Sequence, residues 1–361
     1  MNSIFFIALL AAFAAFLIPA LIYNRLASRS RRFNSGLNVQ KMLFIPFAGI
    51  LFVISSFLYF TLYNQQQFLT SLSYTELAVP FIMAGIICLL SGYNKTSRFF
   101  PLFLLAGTIA ATFAVPSEAI AAATPLPAFY NRLIICLAWF VFSYAYRYAN
   151  TGDAMLSIQS IIIAGGIGIL GLIDAIPLLL GILGFVFTAG FVALLVFNWP
   201  PARLSISADT ASCFGFLLFA LCVWTAAENA GSCVAIYMLY FLLDLVWALL
   251  LRFSFIEKYS NFIENTAYRQ AIAEGVSPQS AATFAFRAQI LLIFLGCFQA
   301  LADNQTSLLL VSSLITIWLL YRFRSISIPV DSFKDINKQV LDDLQDRVND
   351  IKQYINKGSD F

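Results

Sequence analysis

The chain has 361 residues, of which 61% are hydrophobic and 11% charged, with a formal net charge of +3. Soluble domains carry about 25% charged and about 45–50% apolar residues, so a single soluble globule is excluded. There is no histidine, which removes Ser-His-Asp triads, histidine metal sites and imidazole relays, and so small a net charge gives nucleic acid no footing as a partner.

Apolar runs long enough to cross a bilayer as helix follow one another along the chain. They fall near 3–23, 42–63, 77–92, 99–116, 132–149, 157–173, 175–197, 211–227, 232–252, 285–302 and 306–323. The expectation is an all-α polytopic membrane protein with about 11 transmembrane helices. Asp174–Pro177 leaves one alternative open, a single re-entrant break within 157–197. An odd number of crossings puts the termini on opposite faces, and the loops richest in Lys and Arg mark the cytoplasmic one. The loop at 24–41 holds Arg25, Arg29, Arg31, Arg32 and Lys41, and of 21 Lys and Arg residues only Arg132 falls clearly on the other side. The N-terminus is therefore expected outside and the C-terminus in the cytoplasm. The six cysteines lie in or beside apolar stretches without CxxC spacing and read as packing thiols.

After Arg324 the composition changes. Phe333, Ile336, Val340, Leu344, Val348, Ile351 and Ile355 recur at helical spacing, which predicts one amphipathic helix over 332–356. Residues 331–361 carry seven acids against five bases, a balance that disfavours an anionic leaflet and favours docking on protein, either a second copy or the cytoplasmic loops.

Ionisable groups in or beside membrane spans are costly, so each requires a reason. Asp153 closes the fifth predicted span, Asp209 precedes the eighth, and Asp244 lies within the ninth. The predicted topology sets Asp153 and Asp209 at one face, where two carboxylates could share a divalent metal; helix capping in water is the bland alternative.

The segment NWPPARLSISADTASCFGFLLFAL, residues 198–221, resembles the signature of the polyprenyl-phosphate N-acetylhexosamine-1-phosphate transferases, the glycosyltransferase family 4 superfamily. In the same order, YRYANTGDAMLS (146–157), DLVWALLLR (244–252) and YRQAIAEGVS (268–277) are similar to three further words of that family. The resemblance covers residues 20–325 and implies a transmembrane transferase-like domain over 1–325, with a cytoplasmic helical tail over 326–361. It implies transfer of a sugar-1-phosphate from a UDP-sugar to a polyprenyl phosphate in a bacterial inner membrane, with Mg²⁺ or Mn²⁺ as cofactor. Residue by residue, it makes Asp153 and Asn150 catalytic and Asp209 a metal ligand together with Asp153. Arg203, Tyr268 and Arg269 become substrate-binding, and Asp244 and Arg252 supporting. Polyprenyl phosphate, a UDP-sugar, the membrane and a second copy forming a homodimer are the expected partners.

The departures concentrate on functional positions. The family's Asp-Asp pair falls within Tyr93-Asn94-Lys95, and the second aspartate of its N-x-x-D-G-x-D-G word is Leu156. Two glycines there are Ala154 and Ser157, Gly-Asp-x-Gly-Ser has become Ala208-Asp209-Thr210-Ala211-Ser212, and the loop histidine is Thr266. Three readings stay open: a divergent transferase, a non-catalytic homologue that binds polyprenyl lipid or a partner, and a transporter. Lys95, where the family keeps acids, is a candidate to supply part of the metal's charge.

Overall fold

In hydrocarbon a chain satisfies its own amides only by helix or closed barrel, so apolar runs of about 20 residues fold as helices. The computed structural model describes residue 14 and residues 74–91, 99–115, 127–151, 154–202, 206, 208–253, 266–302 and 306–325. Its helices are α1 (Tyr74–Ser91), α2 (Phe100–Ala114), α3 (Ala128–Ala145), α4 (Met155–Leu172), α5 (Leu178–Asn198), α6 (Ala208–Thr225), α7 (Gly231–Phe253), α8 (Ala267–Ala273), α9 (Pro278–Leu301) and α10 (Thr306–Ser325). A 3₁₀ segment, Tyr146–Thr151, continues α3, and no strand occurs among the described residues. Six stretches there are long and apolar enough to cross a membrane: Phe129–Tyr148, Met155–Leu172, Leu178–Asn198, Ala208–Leu251, Pro278–Leu301 and Ser307–Arg324. The chain is an all-α, multi-pass membrane protein.

The stretch Ala208–Leu251 has 44 residues. As one rod it would measure about 66 Å, roughly twice the hydrocarbon thickness. It breaks at Ala226–Ala230, one π-helical turn in which Glu228 (φ −87°, ψ 27°) and Asn229 (φ 63°) leave helical geometry. Tyr146 packs on Gly215 of α6 and on Phe241 of α7, two residues equidistant in sequence from Glu228. The chain therefore doubles back, and α6 and α7 form a helical hairpin.

The expected ambiguity at Asp174–Pro177 resolves into two full-length helices. Asp174 takes φ 57° and Pro177 precedes the first turn of α5. The helices then lie backbone against backbone: a Cβ on Gly171 would come within 2.5 Å of the Gly181 Cα. Only glycine permits that approach. Burial places α4 centrally, with 83% of its span residues buried against 22% for α10; Leu310, Leu314, Trp318 and Tyr321 of α10 stay exposed on the outside of the bundle.

Nine predicted spans coincide with α1–α7, α9 and α10. The expected spans at 3–23 and 42–63 and the tail helix at 332–356 lie outside the described residues. The largest difference in a boundary is at α9, which begins at Pro278 and not at 285. Ser277 caps it, its Oγ accepting from Ser280 N at 3.2 Å, with Pro278 in the first turn. These local helix-start signals extend α9 through a polar segment that hydropathy treats as loop. The packing-thiol reading also needs one correction, because Cys213 is disulfide-bonded while Cys136, Cys222, Cys233 and Cys297 are free. Spacing along the sequence carried no sign of which helices bring thiols together.

Candidate functional site at the polar end of the bundle

Antiparallel alternation gathers the end of α3, the start of α4, the α5–α6 connection, the end of α7, all of α8 and the end of α10 at one end of the bundle. The sequence-predicted site residues that are described, Asn150, Asp209, Asp244, Arg252, Tyr268 and Arg269, belong to these segments. The structure brings two of the motif words together. Arg147, in the 146–157 word, places Nη2 at 3.2 Å from Asp209 Oδ1, in the 198–221 word. Gly215 of the second word lets the Tyr146 ring lie on α6, since a Cβ there would sit 2.5 Å from Tyr146 Cβ. Tyr146 itself is fully buried, and its hydroxyl is 2.7 Å from Ser160 Oγ on α4.

Asp209 occupies the first turn of α6, where the helix dipole favours a carboxylate. Its partner is held from both sides: the Arg147 guanidinium stands 4.9 Å from the Tyr144 ring centre and 5.9 Å from that of Phe100. The two side chains are 23% and 15% exposed, so water reaches the pair. Oδ1 of Asp209 nonetheless has no aligned hydrogen bond. It is in Coulomb contact with Arg147 and keeps acceptor capacity.

A second cluster surrounds Asp244. This carboxylate is 6% exposed. Its Oδ1 accepts from Ala267 N at 2.9 Å and from Arg324 Nη2 at 2.8 Å. Arg324 also donates to Gln270 Oε1 and lies 5.1 Å from the Trp247 ring centre. Asp244 thus caps the first amide of α8, a place the Thr266 side chain leaves uncapped, and ties α7, α8 and α10 together. Burying such a pair is tolerable because both ions gain further hydrogen bonds. Tyr268 is 1% exposed and donates to Pro278 O at 3.4 Å, joining α8 to the start of α9. Tyr148, Gln159, Asp244, Thr266 and Tyr268 line one crevice, and Arg269 is exposed beside it.

Asp153 and Arg203 lie outside the described residues, as does Lys95. Asn150 falls in the 3₁₀ segment and Arg252 on α7, but their side chains are likewise outside the described residues. Leu156, where the family has its second aspartate, is fully buried in the apolar core. Ala154 takes φ 70°, a left-handed conformation that glycine adopts freely and alanine does not; the family word has glycine at that position. The described residues do not by themselves complete a Mg²⁺ site: among them no three His, Cys, Asp or Glu side chains cluster, and the one expected ligand in view is paired with Arg147.

Sequence reasoning missed Arg147 and Arg324 as site residues. In the sequence both read only as bases of the positive face. Arg147 lies inside a recognised word, and Arg324 ends the last span, so each carried a usable signal. No family model matches the chain, and no curated protein matches it.

Proposed function

We propose that this protein is a divergent sugar-1-phosphate transferase acting on a polyprenyl phosphate, using the polar end of the bundle as its site. The observation that carries the reading is the meeting of the 146–157 and 198–221 words at Arg147 and Asp209. Two segments that resemble one family's site words, about 60 residues apart, pack against each other at a water-accessible helix start. In the reaction, an oxygen of the lipid phosphate forms a bond to the sugar-proximal phosphorus. That phosphorus releases its bridging oxygen, which leaves with UMP. Two anions must approach, so cationic groups and helix N-termini matter most. Arg147, beside Asp209 at the start of α6, would supply one such cation, and Arg203, Arg269 and Tyr268 would bind the UDP-sugar. Asn150 and Asp153 would follow Arg147 into the site. Mg²⁺ or Mn²⁺ belongs to this reading as the ion Asp209 would share with Asp153 after leaving Arg147, and when bound it would neutralise diphosphate charge. Eleven crossings, a cytoplasmic site, a bacterial inner membrane and a homodimer complete the proposal.

The ion pair also favours a second reading. Arg147 pairs with Asp209, the expected metal ligand, and on this reading would take the place of the metal's charge, which suits a non-catalytic homologue that binds polyprenyl phosphate without transfer. One experiment separates the two. Purified protein is given polyprenyl phosphate and UDP-N-acetylhexosamines labelled in the sugar-proximal phosphate. Label moving into the lipid phase with stoichiometric UMP supports transfer. Lipid binding with all label left in water supports the second reading and overturns the first.

A further inference from the structure

At the end of the bundle opposite Asp209, the last turns of α2 and the first turns of α3 leave a groove of about 380 Å³, within the roughly 300–1,000 Å³ span of small-molecule sites. Ile109, Phe113, Phe129, Leu133 and Cys136 form its walls. Phe113, Phe129 and Leu133 are each more than half exposed, so the groove opens sideways to the surrounding hydrocarbon. Thr112 also reaches it, but its hydroxyl donates to Thr108 O at 2.7 Å and offers no free donor. Arg132 is the one charged residue in the lining among the described residues.

Arg132 lies four residues into α3, roughly 6 Å from its end, in the first turn of the apolar stretch Phe129–Tyr148, where a membrane span would approach the headgroups. Its guanidinium stands 5.6 Å from the Phe113 ring centre, and its Nε is buried without a hydrogen-bond partner. Among the described residues no carboxylate is ion-paired to it. A guanidinium held at this depth is costly unless an anion meets it. The anion must come attached to hydrocarbon, because the rest of the groove is apolar. We infer that the groove binds an anionic glycerophospholipid, its phosphate accepting from Arg132 and an acyl chain lying against Phe113, Phe129 and Leu133. A guanidinium suits a phosphate through paired N–H donors, and the anionic leaflet lipid is preferred because a zwitterionic headgroup brings its own cation. The inference uses no residue of the proposed transfer site and stands or falls apart from it.

The test is native mass spectrometry of the full chain, delipidated in detergent and titrated with phosphatidylglycerol or phosphatidylcholine. The wild type should retain phosphatidylglycerol in preference, and Arg132→Gln should weaken that binding about tenfold, the effect of losing one charge-assisted contact. Arg287→Gln, at an exposed arginine on α9, should leave it unchanged. Leu133→Trp, which keeps the guanidinium but fills the groove, should also lose the lipid, and it guards against an Arg132 variant that merely misfolds. Equal retention by wild type and Arg132→Gln would overturn the inference. So would retention by Leu133→Trp, or a wild type that does not distinguish the two lipids.

Discussion

Arg147 and Asp209 are close enough for their charges to offset each other, yet open enough for water to screen them. Removing the cation alone leaves a partly buried carboxylate without its counter-charge. Arg147→Gln should therefore cost about 1–2 kcal/mol, less than a fully buried pair because of the exposure. Reversible unfolding in mixed micelles would measure it, and no change would mean the pair is incidental. Ala154 makes a backbone prediction. Its left-handed φ of 70° costs an alanine about 1–2 kcal/mol that glycine does not bear, against about 0.5–1 kcal/mol of added chain entropy for glycine. Ala154→Gly should thus be neutral to about 1 kcal/mol stabilising in the same unfolding measurement, whereas the β-branched Ala154→Val should be clearly destabilising. A loss of stability in the glycine variant would contradict the left-handed assignment.

Among the elements, α4 and α5 depend on glycine contact. Gly171→Ala puts a methyl into the Gly181 backbone and should cost about 1–3 kcal/mol as overpacking. Gly85→Ala on α1, where a methyl would meet nothing within 4 Å, serves as its neutral control. The tie among α7, α8 and α10 is open to a double-mutant cycle. Asp244→Asn and Arg324→Gln should each cost about 3–5 kcal/mol by stranding the other ion, and the double variant should cost less than their sum. Additive losses would show that the two side chains act separately. At this scale the sequence was most legible where length and apolarity suffice, since a membrane helix must satisfy its own amides over a fixed thickness. It was least legible where a helix begins in polar residues, as α9 does at Pro278, and where a turn hides in apolar residues, as Ala226–Ala230 does. Hydropathy separates α6 from α7 only through Glu228 and Asn229.

Over the whole molecule, the candidate site was legible as separate words but not as an arrangement. The sequence singled out Asp209 and Asp244 because charges beside spans are expensive. It did not indicate that Arg147 would face the first or Arg324 the second, because both pairings join segments far apart in the chain. Leu156 and Ala154 illustrate the same division: the loss of an aspartate and a glycine is visible in the letters, while the buried core position and the left-handed backbone that give those losses meaning need the fold. Of the two acids the sequence singles out among the described residues, Asp209 is the water-accessible one and Asp244 is committed to structure.

The central claim, that Asp209 serves sugar-1-phosphate transfer, is tested most directly by the rate at which Asp209→Asn moves label from a UDP-sugar into lipid. The substitution keeps the shape and removes the charge. The account predicts a loss of about a hundredfold or more relative to wild type, the usual effect of deleting one charge-stabilising group from a transfer site, beside a stability cost of about 1–2 kcal/mol, the same as for Arg147→Gln, since both break one ion pair. Asp209→Asn transferring label at the wild-type rate would contradict it.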